Sequence, residues 1–99
     1  MNIQAMMKQA QALQKDMLKV KDEIDNTEFV GESSLVKITI NGTKKVLNVE
    51  INKDESLSHD DIEMLQDMIL VAINEANKKV DDLTEKKMGK FGNSMPGLF

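Results

Sequence analysis

Seven apolar residues, Ile3, Met6, Ala10, Leu13, Met17, Val20 and Ile24, recur at the start of the chain in alternating steps of three and four. These are the a and d positions of a heptad repeat, so residues 2–26 read as one amphipathic helix. No Gly or Pro interrupts the stretch. At a rise of ~1.5 Å per residue the helix is ~36 Å long, more than a small domain can cover. Part of it must project or pair with another helix. The chain has 99 residues, enough for one domain that buries a limited share of its surface. Together these demands predict an intertwined dimer.

Asn26 is a candidate C-terminal cap, because Asn tolerates the left-handed conformation. Residues 27–31, around Phe29 and Val30, predict a short edge strand, and Glu32-Ser33-Ser34 a turn. In the next run Val36, Ile38 and Ile40 point one way while Lys37 and Thr39 point the other. Leu47, Val49 and Ile51 then alternate with Asn48 and Glu50. Asn41-Gly42 between the two runs is a hairpin signal, since both residues accept positive φ. The spacing of Ser58 and Asp61 resembles a capping box. A second long helix carries Ile62, Leu65, Ile69, Ala72, Ala76, Val80 and Leu83 on one stripe, widened by Met64, Met68, Val71 and Ile73. That stripe exceeds what a three-stranded sheet needs, which again predicts a partner chain. Gly89 reads as the end of this helix. The expected fold is α+β, in the order α-β-β-β-α, with a three-stranded antiparallel sheet flanked by two long helices. Residues 1–90 form the domain, and 91–99 form a flexible tail.

Composition narrows the function. Cys is absent, which excludes disulfides and thiol chemistry. No apolar run is long enough to span a bilayer and the start has no signal pattern, so no membrane role and a cytoplasmic location are expected. The net charge is -4, but its distribution is uneven. Residues 1–21 carry Lys8, Lys15, Lys19 and Lys21 against Asp16 alone. Residues 54–67 carry Asp54, Glu55, Asp60, Asp61, Glu63 and Asp67 with no Lys. All 13 basic residues are Lys, which disfavours bidentate reading of guanine by Arg. His59 has no further ligands at metal-site spacing. No nucleophile motif or phosphate-binding Gly loop is present, so no enzyme activity and no cofactor are expected.

Several segments resemble the YbaB/EbfC family of bacterial nucleoid-associated proteins. They are Met6-Met7-Lys8-Gln9-Ala10-Gln11 in the first helix, Ile38-Thr39-Ile40-Asn41-Gly42 in the hairpin, and residues 64–76 of the second helix. Lys86-Lys87-Met88-Gly89-Lys90 and Pro96-Gly97-Leu98-Phe99 look similar too, and the likeness runs the length of the chain in order. The resemblance implies a homodimer built through the central sheets, with helices projecting as a tweezer-like pair. It also implies binding of duplex DNA with low sequence specificity, in the cytoplasm and nucleoid.

The residues that fit such a role are Lys8, Gln11, Lys15 and Lys19, which form a stripe with Gln4 opposite the heptad seam, and Lys86, Lys87 and Lys90 near the end of the second helix. Lys can contact phosphates, and Gln phosphates or base edges. The same residues also suit a solvated helix face, and cations at a helix C-terminus complement its dipole. Lys78 and Lys79 are followed by Asp81 and Asp82, which predicts local compensation. The acidic run reads as a solvated helix start. The apolar residues 95–99 fit either docking on a groove or disorder. The alternative function is a protein-interaction module whose Met-rich helical surface binds a partner protein without a direct DNA role.

Overall fold

The computed structural model describes residues 2–52 and 56–92. Helix α1 spans Ile3–Asp25. Asn2 caps its start, accepting from the Ala5 N–H at 3.2 Å. At its end Asn26 has φ -94 and ψ 0, outside the left-handed region expected of a cap. Its side-chain amide donates instead to the Asp22 carbonyl at 2.9 Å, and the Thr27 hydroxyl donates to the Glu23 carbonyl at 2.7 Å. Side chains satisfy the orphan carbonyls, so the backbone need not turn left-handed.

Three antiparallel strands follow: β1 (Glu28–Ser33), β2 (Val36–Asn41) and β3 (Val46–Ile51), with β2 in the centre. Strand β1 is longer than expected. Ser33 pairs with Val36, which leaves a two-residue turn in which Ser34 takes φ 49. The second turn is not the two-residue form that Asn41-Gly42 suggests. Lys44, at φ 68, is its left-handed residue. Asn41 organises the loop, its Oδ1 accepting from the Thr43 N–H at 2.9 Å, the Thr43 hydroxyl at 2.6 Å and the Lys45 N–H at 3.1 Å. Gly42 serves a different purpose: its N–H donates to the Asp25 carbonyl at 3.2 Å, and a Cβ there would overlap the Ile24 carbonyl oxygen. The hairpin tip is thus seated on the end of α1.

The register shifts between Thr39, opposite Asn48, and Ile40, opposite Val46. Leu47 is the extra residue of this bulge, so it leaves the alternation expected with Val49 and Ile51. Directly opposed residues share a face, so Val46, Val49 and Ile51 continue the apolar face of Ile40, Ile38 and Val36.

Helix α2 spans Ile62–Gly92, preceded by one 3-10 turn, His59–Asp61. The Ser58 N–H donates to the Asp61 carboxylate at 2.8 Å, as its spacing suggests. The helix lies over β1 and β2, where Ala72 and Ala76 are fully buried against Gly31. Gly89 does not end it. Met88 and Phe91, 3% and 2% exposed, join Met17 and Ile24 of α1 in the core, and that burial carries the helix through Gly89 to Gly92. The expected tail begins inside this helix at its first two residues, and residues 93–99 lie outside the described ones. The α-β-β-β-α fold therefore has one apolar core, mostly aliphatic with Phe29 and Phe91, and with Val36, Ile38 and Ile40 at its centre.

The described chain measures 72 × 18 × 15 Å, with a radius of gyration of 19.5 Å. A compact domain of this size has about 13 Å. The excess comes from α2 reaching past the sheet and α1 reaching past α2.

Candidate nucleic-acid interface

A groove between the helices shows how they run. The hairpin tip fixes the direction: Gly42 lies against Ile24 and Asp25 while Lys44 pairs with Asp81, which puts the end of α1 beside Asp81. Met17 and Met88 line the same groove farther along, so the helices are antiparallel. The N-terminal half of α1 and the last turns of α2 therefore share one end of the molecule. On α1, at ~100° per residue, Lys8, Gln11, Lys15 and Lys19 fall within ~80° of arc, about 170° round from the face that buries Met17 and Ile24. All four are exposed, as are Lys86, Lys87 and Lys90. The two Lys groups that the sequence separates by most of its length both lie toward this end.

The ion pairs sort the lysines. Lys21 pairs with Asp25 at 2.9 Å, Lys44 with Asp81 at 2.9 Å and Lys79 with Glu75 at 3.4 Å. Lys79 also donates to the Val30 carbonyl at 2.6 Å. Among the described residues, none of Lys8, Lys15, Lys19, Lys86, Lys87 and Lys90 is in an ion pair. The Lys90 Nζ sits 5.0 Å from the centroid of the Phe91 ring, a cation–π spacing. The expected compensation of Lys78 and Lys79 by Asp81 and Asp82 differs in detail. Asp81 is engaged by the hairpin residue Lys44, Lys79 turns to Glu75, and Lys78 has no ion pair among the described residues. Lys78 is thus an exposed cation the sequence reading passed over, since acidic neighbours at helical spacing hid it.

The acidic run of residues 54–67 stands at the other end. Asp60, Asp61, Glu63 and Asp67 flank the start of α2, Asp61 being held in its cap; Asp54 and Glu55 lie outside the described residues. His59 is exposed in the 3-10 turn. Among the described residues no three His, Asp or Glu side chains gather as metal ligands, and no helix is long and apolar enough to cross a membrane.

The sequence pattern of the YbaB/EbfC DNA-binding family matches residues 1–95. The chain belongs to that family. Its relatives include a nucleoid-associated protein of Ligilactobacillus salivarius, 43% identical over 100 residues, covering 99% of this chain and 95% of the relative. Another, from Pelotomaculum thermopropionicum, is 45% identical over 102 residues, covering 99% and 96%. The fold is also that of an uncharacterized Helicobacter pylori protein known from a crystal structure. The two match with a TM-score of 0.73 at 16% identity, over 92% of this chain and 97% of that one. The YbaB/EbfC family is named for DNA binding and not for a reaction.

Proposed function

We propose that this protein is a nucleoid-associated protein that binds duplex DNA as a homodimer, mainly through phosphate contacts and with low sequence specificity. One observation carries the reading: in a family named for DNA binding, one face of α1 presents Lys8, Gln11, Lys15 and Lys19, exposed and with every Lys free of ion pairs among the described residues. An unpaired surface Lys releases counterions when it meets a phosphate, which drives sequence-independent binding. Lys86, Lys87 and Lys90 extend the same basic end. The cytoplasm and nucleoid are the setting this reading implies.

The homodimer has its own support. Strand β3 is an edge strand whose apolar side chains stay exposed, Val49 at 48%. Leu70 and Val71 on the outer side of α2 are 61% and 53% exposed. A row of free backbone groups beside exposed apolar side chains is a pairing surface.

The test is fluorescence anisotropy with a labelled duplex, titrated between about 50 and 200 mM salt. A phosphate-driven binder follows a log-log slope of about -0.9 per neutralised phosphate. The variant Lys8→Gln/Lys15→Gln/Lys19→Gln loses up to about six contacts per dimer, so its slope flattens by up to about five. A folded variant with unchanged slope and affinity refutes the site. Absence of binding by the unaltered protein at low salt turns the reading to a protein partner.

A further inference from the structure

The heptad pattern of α1 runs from Ile3 to Ile24, yet among the described residues only its second half has a partner. Leu13, Met17, Val20 and Ile24 pack into the core, while Ile3, Met6 and Met7 are 70%, 52% and 56% exposed. These three and Ala10 lie on one arc of α1 that continues into the groove beside α2. That groove, of about 560 Å³, has an apolar floor of Met17, Ile24 and Met88 and opens past Leu18 and Gly89. Gly89 stands inside a helix, where Gly costs about 1 kcal/mol relative to Ala. Apart from its chain neighbours and the backbone of its own helix, no atom of the described residues lies within 4 Å of where its Cβ would be. No contact among the described residues explains a bare backbone at that point.

We infer that the groove seats the N-terminal half of α1 from a second copy of this chain, in a two-fold, antiparallel tip-to-tip contact. Setting Met7 of one copy against Leu18 of the other lays each exposed tip in the other's groove, with the axis between residues 12 and 13 and with Gln14 and Ala10 both within ~4 Å of it along the helix. Charge agrees. On the groove rim Asp25 is paired with Lys21 and Asp81 with Lys44, which leaves Glu85 as the rim carboxylate with no ion pair among the described residues. The first turn of α1 holds no acidic residue, so its helix end presents an uncompensated positive dipole to that rim. The stripe of Lys8, Lys15 and Lys19 lies about 130° round α1 from this contact and stays open to DNA. Length separates the contact from the proposed dimer surface. Helix α2 is ~46 Å long, and the acidic start of that helix is at the opposite end from the α1 tip. With both contacts made, copies join into an open chain. The tip contact deepens the proposed function without depending on the sheet-built dimer.

The chain has no Cys, which makes the test clean. Met7→Cys and Leu18→Cys are prepared in separate chains, mixed and mildly oxidised. Within one chain these positions are ~16 Å apart along α1, too far for a disulfide, which needs Cα atoms ~4.4–6.8 Å apart. The expected result is a mixed two-chain disulfide, well above what either variant forms alone. In sedimentation Met7→Glu lowers the mass of the unaltered assembly, from more than two chains to two where the sheet-built dimer forms and from two chains to one where it does not. Absence of the mixed disulfide overturns the contact. So does preferential linkage of Met7→Cys to Val49→Cys, which puts the tip on a partner's sheet. Linkage of Leu18→Cys to Met95→Cys within one chain also overturns it, because residues 93–99 then fill their own groove. Val49→Glu tests the sheet-built dimer separately: it is expected to remove that contact and keep the Met7–Leu18 disulfide, so either reading can fail alone.

Discussion

Gly31→Ala adds one methyl group at the closest approach between strand and helix. Gly31 sits in β1 opposite Ile38, under α2. A Cβ at position 31 would overlap the Ala72 carbonyl oxygen and lie 2.8 Å from Ala76 N and 3.0 Å from Ala72 C. These are all backbone atoms, so no rotamer can relieve the clash; the helix must lift or the strand must bend. Overpacking typically costs about 1–3 kcal/mol, and a backbone obstacle on the buried side belongs at the upper end. Replacing Gly returns about 0.5–1 kcal/mol of unfolded-chain entropy. A net loss of about 2–2.5 kcal/mol remains, a large share of a stability near 5–15 kcal/mol. At about 4–8 °C per kcal/mol for a domain of this size, Tm falls by about 10–20 °C. The assay is thermal unfolding by circular dichroism at one fixed chain concentration, since oligomerisation makes Tm concentration-dependent. Gly89→Ala in the Met7→Glu background, where no second copy fills the groove, is the counter-test, because the space around its Cβ is then open; helix propensity raises stability there by up to about 1 kcal/mol. If Gly31→Ala melts within about 2 °C of the unaltered protein, α2 does not lie on β1 at this distance and the packing argument fails.

Ile38→Ala empties the centre of the core, where Ile38 is fully buried, and costs about 2–5 kcal/mol, read from the urea midpoint. Gly42→Ala forces the hairpin tip off the Ile24 carbonyl; about 1–3 kcal/mol is lost, and hydrogen exchange at Gly42 quickens as its bond to Asp25 opens. Lys44→Ala removes a pair whose side chains are 45% and 63% exposed, so denaturant unfolding shifts by less than about 1 kcal/mol.

Periodic features were legible from residue order alone, and features set by tertiary contact were not. The heptads of α1 and the alternation of Val36, Ile38 and Ile40 identify elements because burial repeats at the period of the structure. Local signals misled where a distant group supplied the missing partner. Gly89 resembles a helix stop, but the burial of Met88 and Phe91 against α1 outweighs it. Asn41-Gly42 resembles a tight turn with two positive φ values, but Gly42 is needed for room beside Ile24, and the left-handed residue is Lys44. Leu47 fits the strand alternation perfectly in sequence and still falls in a bulge, because register belongs to the pair of strands and not to one. The candidate site divides the same way. That Lys8, Lys15 and Lys19 share a helix face follows from spacing. That Asp81 is engaged by Lys44 and not by Lys78 depends on where the hairpin lands, which no local pattern contains.

An acidic chain in a DNA-binding family poses a problem of range, and the geometry answers it. Glu63 and Lys87 are ~36 Å apart along α2. At about 0.1 M salt the Debye length is about 10 Å, so a phosphate at the basic end is screened from the acidic end by more than three Debye lengths. On the proposed reading net charge is then the wrong quantity, and the local surplus of Lys decides binding. Near 0.01 M the Debye length grows to about 30 Å and the acidic end comes into reach. The expected plot of log affinity against log salt is therefore straight above about 50 mM and bends toward a plateau near 10 mM. Neutralising the acids as Asp60→Asn/Glu63→Gln/Asp67→Asn, with Asp61 left in its cap, straightens the low-salt limb and leaves affinity near 150 mM unchanged within about twofold. An equal gain at every salt concentration would sink this account, because only acids held within a few ångströms of the DNA repel it regardless of screening. The acidic start of α2 would then belong to the binding face, and the two ends of the molecule would have to meet in the assembly.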